Sequence, residues 1–253
     1  MKFLSSKIVS LLIFATLICS CSKEGGSADP AMSANTTGKG GSLSKFTIVD
    51  NYLYGVTNHY LYSYDISDPS NPLLTNTSDV NFDIETIYPY NNKLFIGTAT
   101  GLYIYSLDNP AAPNKIGEAS HARSCDPVVA NDTIAYVTLK GSSNCGPAVS
   151  GLYIHDIKSI LQPRLIKTVE LSSPEGLVLQ GSVLYVCCND DGLKVMNVSD
   201  PQNPVIIRTI TGAYFKDVIP YGNLLICYVS TGILLYDISD PQNPSELRLI
   251  SNS

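Results

Sequence analysis

The sequence has no tryptophan, only 3 methionines and 3 histidines, and few charges: 15% of its 253 residues are Asp, Glu, Lys or Arg. About a quarter is usual for globular chains. So small a share beside 44% hydrophobic residues excludes a disordered or highly charged chain and leaves ample material for a core. The 16 Lys and Arg stand singly against 22 acids, a net charge of −6, so no basic stripe is present to track phosphates and nucleic acid is not an expected partner. No apolar run approaches the ~20 residues of a membrane-crossing helix. Beyond position 43 no window of about 11 residues or more repeats with a 3.6-residue period, so helices are not expected. Neither Cys-x-x-Cys nor a paired-His spacing occurs, which disfavours zinc. Calcium loops of the Asp-x-Asp-x-Asp-Gly type, Gly-x-Ser-x-Gly, phosphate-cradling Gly runs and a Ser/His/Asp order are also missing, so no metal, cofactor or assembled catalytic set is expected.

What is present begins with an address. Lys2 and Lys7 precede an apolar run from Ile8 to Ile18, the n-region and h-region of an export signal. Leu17-Ile18-Cys19-Ser20-Cys21 resembles a bacterial lipobox, with an aliphatic residue three before and a small residue directly before the acylated cysteine. Cys21 fits that frame through Ile18 and Ser20. Cys19 would put Thr16 and Ile18 there, and an ordinary secretory signal is the plainer alternative. Acyl chains on Cys21 would tether the mature protein without a spanning helix. Losing Lys2 and Lys7 takes the basic count from 16 to 14 against 22 acids, an acidic body mildly repelled by anionic headgroups. Ser22 rather than Asp after the cysteine points to the outer membrane, and Ser22-Lys23-Glu24 resembles the charged tract of Bacteroidetes surface lipoproteins. The expected location is therefore an outer-membrane lipoprotein, periplasmic or surface-exposed. Residues 22–43, rich in Gly and Ser, read as a flexible tether with a span of roughly 25 Å.

The rest of the chain, 44–253, is periodic. Leu61-Tyr-Ser-Tyr-Asp-Ile, Leu102-Tyr-Ile-Tyr-Ser-Leu, Leu152-Tyr-Ile-His-Asp-Ile, Leu193-Lys-Val-Met-Asn-Val and Ile233-Leu-Leu-Tyr-Asp-Ile start 41, 50, 41 and 40 residues apart. Three run into Ser-Asp-Pro-x-Asn-Pro, at 67–72, 199–204 and 239–244. The long interval carries an extra stretch around Gly141 to Gly151. Each unit shows four short strand signals broken by Asn, Gly and Pro; in the second they run about 85–90, 94–98, 102–107 and 115–118. The third is apolar on both faces, with Leu102 and Ile104 on one and Tyr103, Tyr105 and Leu107 on the other. A sheet buried on both faces must be sandwiched between neighbours. The pattern predicts an all-β fold, a five-bladed β-propeller of four-stranded antiparallel blades, with two stacked open sandwiches as the alternative. The units look whole, so no strand is shared between termini, only face-to-face packing would join blades one and five, and ring closure is the weak point.

The Leu-Tyr-Ile-Tyr core followed by Asp-x-Ser-Asp-Pro-x-Asn-Pro resembles the LVIVD repeat of secreted and surface-anchored bacterial proteins, over essentially all of 44–253. The resemblance implies a propeller with a binding or scaffolding role and no established reaction. The loop acids read as turn formers, because Ser67, Asp68 and Asn71 can bond backbone N–H groups while Pro69 and Pro72 fix φ. Cys125 and Cys145 flank the second strand of the third unit; a disulfide closing about 20 residues would stabilise by ~3 kcal/mol. The segment Cys125-Asp-Pro-Val-Val129 is similar to one in related lipoprotein propellers, and that similarity supports the pair. Cys187, Cys188 and Cys227 read as small buried hydrophobes. His155 holds a repeat place filled elsewhere by Tyr64, Tyr105, Met196 and Tyr236, and reads as inter-blade filling.

Superposing the units on their second strands puts Glu85, Asp126, Glu175 and Lys216 at one place, with Asp217 adjacent and Ser44 in the first unit. In a propeller that place rings one end of the axial channel. The plain reading is that these residues cap strand ends; the alternative is a ligand site at the channel mouth. Two classes of function follow: a lipid-tethered, non-catalytic binding module for an envelope protein or glycan, expected to be monomeric, or a glycosidase-like hydrolase or lyase working through Glu85, Asp126 and Glu175. The absence of Trp tilts the first class toward protein, although 16 Tyr leave sugar open.

Overall fold

The computed structural model describes residues 40–80, 83–120, 127–141 and 149–252. Among them are 20 strands and no helix. They form five antiparallel sheets, each of four strands consecutive in sequence and adjacent in space, spanning 46–79, 84–120, 128–170, 177–210 and 215–251. The fold is a five-bladed β-propeller, and no blade borrows a strand from the other terminus. In the second blade the strands are Ile84–Tyr90, Lys93–Thr98, Gly101–Ser106 and Asn114–Ser120, within two residues of the expected ones. Cys21, Cys125, Cys145 and Asp126 lie outside the described residues.

Local chemistry sets the corners. Between the first two strands of blade two, Asn91 and Asn92 take φ of 42° and 58°, the two left-handed positions of a hairpin turn whose twist matches the strands. Asp50, Gly181 and Gly222 occupy the same corner in three other blades, also with positive φ. In the proline-rich loops, the Asp68, Asp200 and Asp240 carboxylates accept the N–H of Ser70 (3.0 Å), Gln202 (3.0 Å) and Gln242 (3.1 Å). The Asn203 and Asn243 amides donate to Asp200 (2.8 Å) and Asp240 (2.7 Å), and these amides foremost hold both carboxyls below their ordinary range. Each blade also carries one irregularity in register between its third and fourth strands, at Ser63/Tyr64, Ile104/Tyr105, Ile154/His155, Val195/Met196 and Leu235/Tyr236. A bulge there adds twist, which lets flat sheets follow one another around an axis.

The core lies between blades. Four buried clusters join blades one to two, two to three, three to four and four to five. Each forms where one blade's outgoing face, such as Val183, Tyr185 and Cys187, meets the next blade's incoming face, such as Leu225 and Cys227. Each such apolar side chain contributes about 1.5–3 kcal/mol when fully buried. Two seams share a latch: the Tyr54 hydroxyl donates to the Pro110 carbonyl (2.9 Å) and the Tyr185 hydroxyl to the Pro241 carbonyl (2.6 Å). In both, a second-strand tyrosine reaches the first proline of the following blade's loop. Burial pushes both phenols well above the ordinary tyrosine range. Cys187, Cys188 and Cys227 are buried free thiols, and His155 is buried in its repeat place.

Among the described residues no cluster joins blade five to blade one. Blade one leaves its incoming face open, with Phe46 63% exposed and Tyr60, Tyr62 and Tyr64 in a row at 6.1 and 6.4 Å between ring centroids. Blade five leaves its outgoing face open, with Tyr228 47% and Tyr221 71% exposed.

Candidate functional site

The residues that the repeat alignment brings together sit where each innermost strand begins. Glu85 and Lys216 are both bulged out of register, between Ile84 and Thr86 and between Phe215 and Asp217. Asp217 follows the bulge of blade five, and Glu175 precedes the innermost strand of blade four, Leu177–Gln180.

This end of the axis is occupied by the chain itself. Gly41, Ser42 and Leu43, which composition assigns to the tether, run across it. Ser42 is 2% exposed; its hydroxyl accepts the Leu177 N–H (2.8 Å) and donates to Asp217 Oδ1 (3.4 Å). Asp217 also accepts the backbone N–H groups of Val218 (2.9 Å) and Leu43. Ser44 offers its carbonyl to the Ile87 N–H (3.0 Å), and Lys45 Nζ donates to the Ile84 carbonyl (2.6 Å). A few residues thus tie blade one to blades two, four and five. The packing admits no side chain at two points: a Cβ on Gly41 would lie 2.1 Å from Asp217 Oδ2, and one on Gly176 2.2 Å from Asp217 Oδ1.

The electrostatics follow from this wrapping. Burial pushes the Asp217 carboxyl up to about 6, against the pull of the Val218 N–H, the Ser42 hydroxyl and the Leu43 N–H, with nearby Glu175 adding to the rise. Glu175 has its own partners, an ion pair with Lys140 and the Asn189 amide (3.2 Å). Lys216 does not join the acids; its amine lies 5.2 Å over the Tyr228 ring on the outgoing face of blade five. No hydrogen bond or ion pair among the described residues ties Glu85 to Glu175 or Asp217. Among those residues no three of His, Cys, Asp and Glu gather closely enough to hold a metal ion. Of the expected ring, the structure brings Glu175 and Asp217 together and turns Lys216 away. Ser42, Lys140 and Asn189 were not legible in the sequence, since none falls in the repeat core and only tertiary contact gives each its partner.

A second concavity lies at the opposite end of the strands, between blades two and three. It is a solvent-open cleft of about 330 Å³ lined by Tyr90, Asn91, Lys93, Phe95, Asp132 and Ile160, among others. Phe95 holds the place of the latch tyrosines without a hydroxyl, and Ile160 replaces the loop proline, so this corner lacks the plug found in two other seams. Asn91 spans the rim to Asp132 (2.8 Å).

The blade geometry and the loop turns meet in one finding: the LVIVD repeat model matches residues 40–80 and 174–211, the first and fourth units. Two of the chain's five units thus match the LVIVD repeat. Among curated proteins none matches the chain. Solved structures similar to the chain include a functionally unknown protein from Desulfotomaculum acetoxidans (9% identity, 81% of this chain and 67% of that one, TM-score 0.64) and a protein from Lactobacillus plantarum (11%, 79% and 68%, 0.61). AztD from Citrobacter koseri is also similar (12%, 82% and 64%, 0.58). At such identity the likeness concerns the fold alone. The chain spans about three-fifths to two-thirds of the length of the solved structures it matches, a computationally designed protein, Ika8, being covered over 59%. Among the described residues no helix is long and apolar enough to cross a membrane.

Proposed function

We propose that the protein is a lipid-anchored, non-catalytic propeller of the cell envelope that binds or scaffolds a protein or glycan partner. The observation that carries this reading is the filled axial end. The carboxylate best placed for chemistry, Asp217, is wrapped by Ser42, Leu43 and Val218, and its neighbour Glu175 is paired with Lys140. A glycosidase-like mechanism needs two carboxyl groups flanking an open cleft; here Asp217 is wrapped by the entry segment and Glu175, a quarter exposed, is engaged by Lys140. The exposed loops, the cleft between blades two and three and the open end faces remain for contact. The anchor part rests on the Leu17 to Cys21 lipobox resemblance, and the location follows from it: an outer-membrane lipoprotein, periplasmic or surface-exposed.

Two experiments test the halves separately. Wild type should partition into detergent and incorporate labelled fatty acid, and Cys21→Ala should do neither; unlabelled wild-type protein refutes the anchor. The mature protein should bind saturably to a glycan array or to immobilised envelope proteins and leave aryl glycosides intact. Hydrolysis that disappears in Glu175→Gln refutes the non-catalytic reading.

A further inference from the structure

Every interior seam is one outgoing face docked on one incoming face, and among the described residues one of each is left uncovered, on blades five and one. On the incoming side of blade one, Phe46, Leu53, Gly55, Tyr62 and Tyr64 hold the places that Ile87, Leu94, Ile96, Tyr103 and Tyr105 hold in blade two. There, Ile87, Leu94, Ile96 and Tyr105 are buried against blade one. A Cβ added to Gly55 would meet nothing within 4 Å, whereas Ile96 at the same place is fully buried. On the outgoing side of blade five, Leu224, Ile226, Tyr228, Ile233 and Leu235 hold the places of Val183, Tyr185, Cys187, Leu193 and Val195, all buried against blade five. The end faces are therefore two halves of a contact that the same repeat makes four times within this molecule. Their shape and apolarity fit a blade better than they fit a polar ligand.

We propose that a second copy of this chain covers them, the outgoing face of blade five in one copy docking head-to-tail on the incoming face of blade one in the next. The argument for that occupant is that each copy presents both complementary halves, so self-association needs no surface other than one already shown to pack. About a third or more of each similar solved propeller lies outside its match to this chain, which agrees with blades being accommodated beyond these five. Because the contact is heterologous, it closes into a ring if the rotation allows and otherwise grows as a string. Ile226 lacks the latch hydroxyl, as Phe95 does in the seam between blades two and three, so a latch is not a condition of packing.

The test uses the mature chain and light scattering over micromolar to near-millimolar concentration. Gly55→Glu blocks the incoming face from a position open to solvent; Tyr228→Glu blocks the outgoing face, with exposed Tyr221→Glu as a second variant there. Circular dichroism and thermal midpoints establish that each variant is folded. Wild type should at least double its average mass with concentration, each single-face variant should stay monomeric, and an equimolar mixture of a Gly55 and a Tyr228 variant should form a dimer and nothing larger. A wild type that stays monomeric throughout, leaving the faces to another blade-bearing chain, overturns the proposal. So does a dimer lost in Gly55→Glu but kept in both outgoing-face variants, since that pattern marks blade one packing on itself.

Discussion

Asp217 gives the sharpest prediction because its carboxyl is both wrapped by the entry segment and pushed up by burial. Its folded value of about 6 stands above the ordinary 3.8, so the folded state holds the proton more tightly than the unfolded chain does. The stability this group contributes is therefore fully present below about 3.8 and is lost as pH rises through about 6. A shift of roughly two units corresponds to about 3 kcal/mol, a sizeable part of the 5–15 kcal/mol typical of a domain. The assay is urea unfolding of wild type and Asp217→Asn at intervals from pH 4 to 8. Wild type should lose up to about 3 kcal/mol relative to the variant across that range, and most of the change should fall between pH 4 and 6.5. The variant sits at a lower baseline, because its amide keeps one acceptor oxygen where the carboxylate has two for the Ser42, Leu43 and Val218 donors, and one such bond is worth about 1 kcal/mol. The loop carboxylates held low, among them Asp200 and Asp240, oppose the trend only as pH falls through their lowered values, and they are common to both proteins. Parallel profiles for the two proteins would refute the claim that Asp217 is buried as a charge under residues 41–43.

Three further outcomes follow from the same contacts. Gly176→Ala drives a Cβ into the Asp217 carboxylate and backbone, so it should cost about 1–3 kcal/mol and lower the thermal midpoint; an unchanged midpoint would place the entry segment elsewhere. Tyr185→Phe strands the Pro241 carbonyl and should cost about 1–2 kcal/mol by chemical denaturation, whereas Phe95→Tyr, facing the open cleft, should change stability little. Amide hydrogen exchange under monomeric conditions should be fastest in blades one and five, which among the described residues each lack a neighbour on one face; uniform protection through all five blades would count against an open seam.

The blades were legible in the sequence and the seam's state was not. A forty-residue period, the two-sided third strand and the Asn, Gly and Pro breaks each report local constraints, and these place Leu102 and Ile104 inside and the Asp68 loop in a turn wherever the unit sits. The axial residues were legible only as a set of aligned positions. Alignment places Glu175 and Lys216 at equivalent points, but where a side chain goes from there depends on its neighbours: Lys140 and Asn189 draw Glu175 inward, while the Tyr228 ring holds the Lys216 amine on the outer face. Ser42 carried no signal at all, because a serine in a Gly-rich stretch looks the same whether it meets water or the Leu177 N–H.

Sequence alone determined how many blades there are, how each folds and which sides of each are apolar, since those properties repeat with the chain and depend on residues close together along it. Only the tertiary structure decided that residues 41–43, read from composition as the end of the tether, close over the axis, that Asp217 is spent on holding them, and that among the described residues one apolar face of blade one and one of blade five are left uncovered. These depend on how five sheets add up around an axis, and the sum of their twists and of the angles between them is a property no single repeat contains.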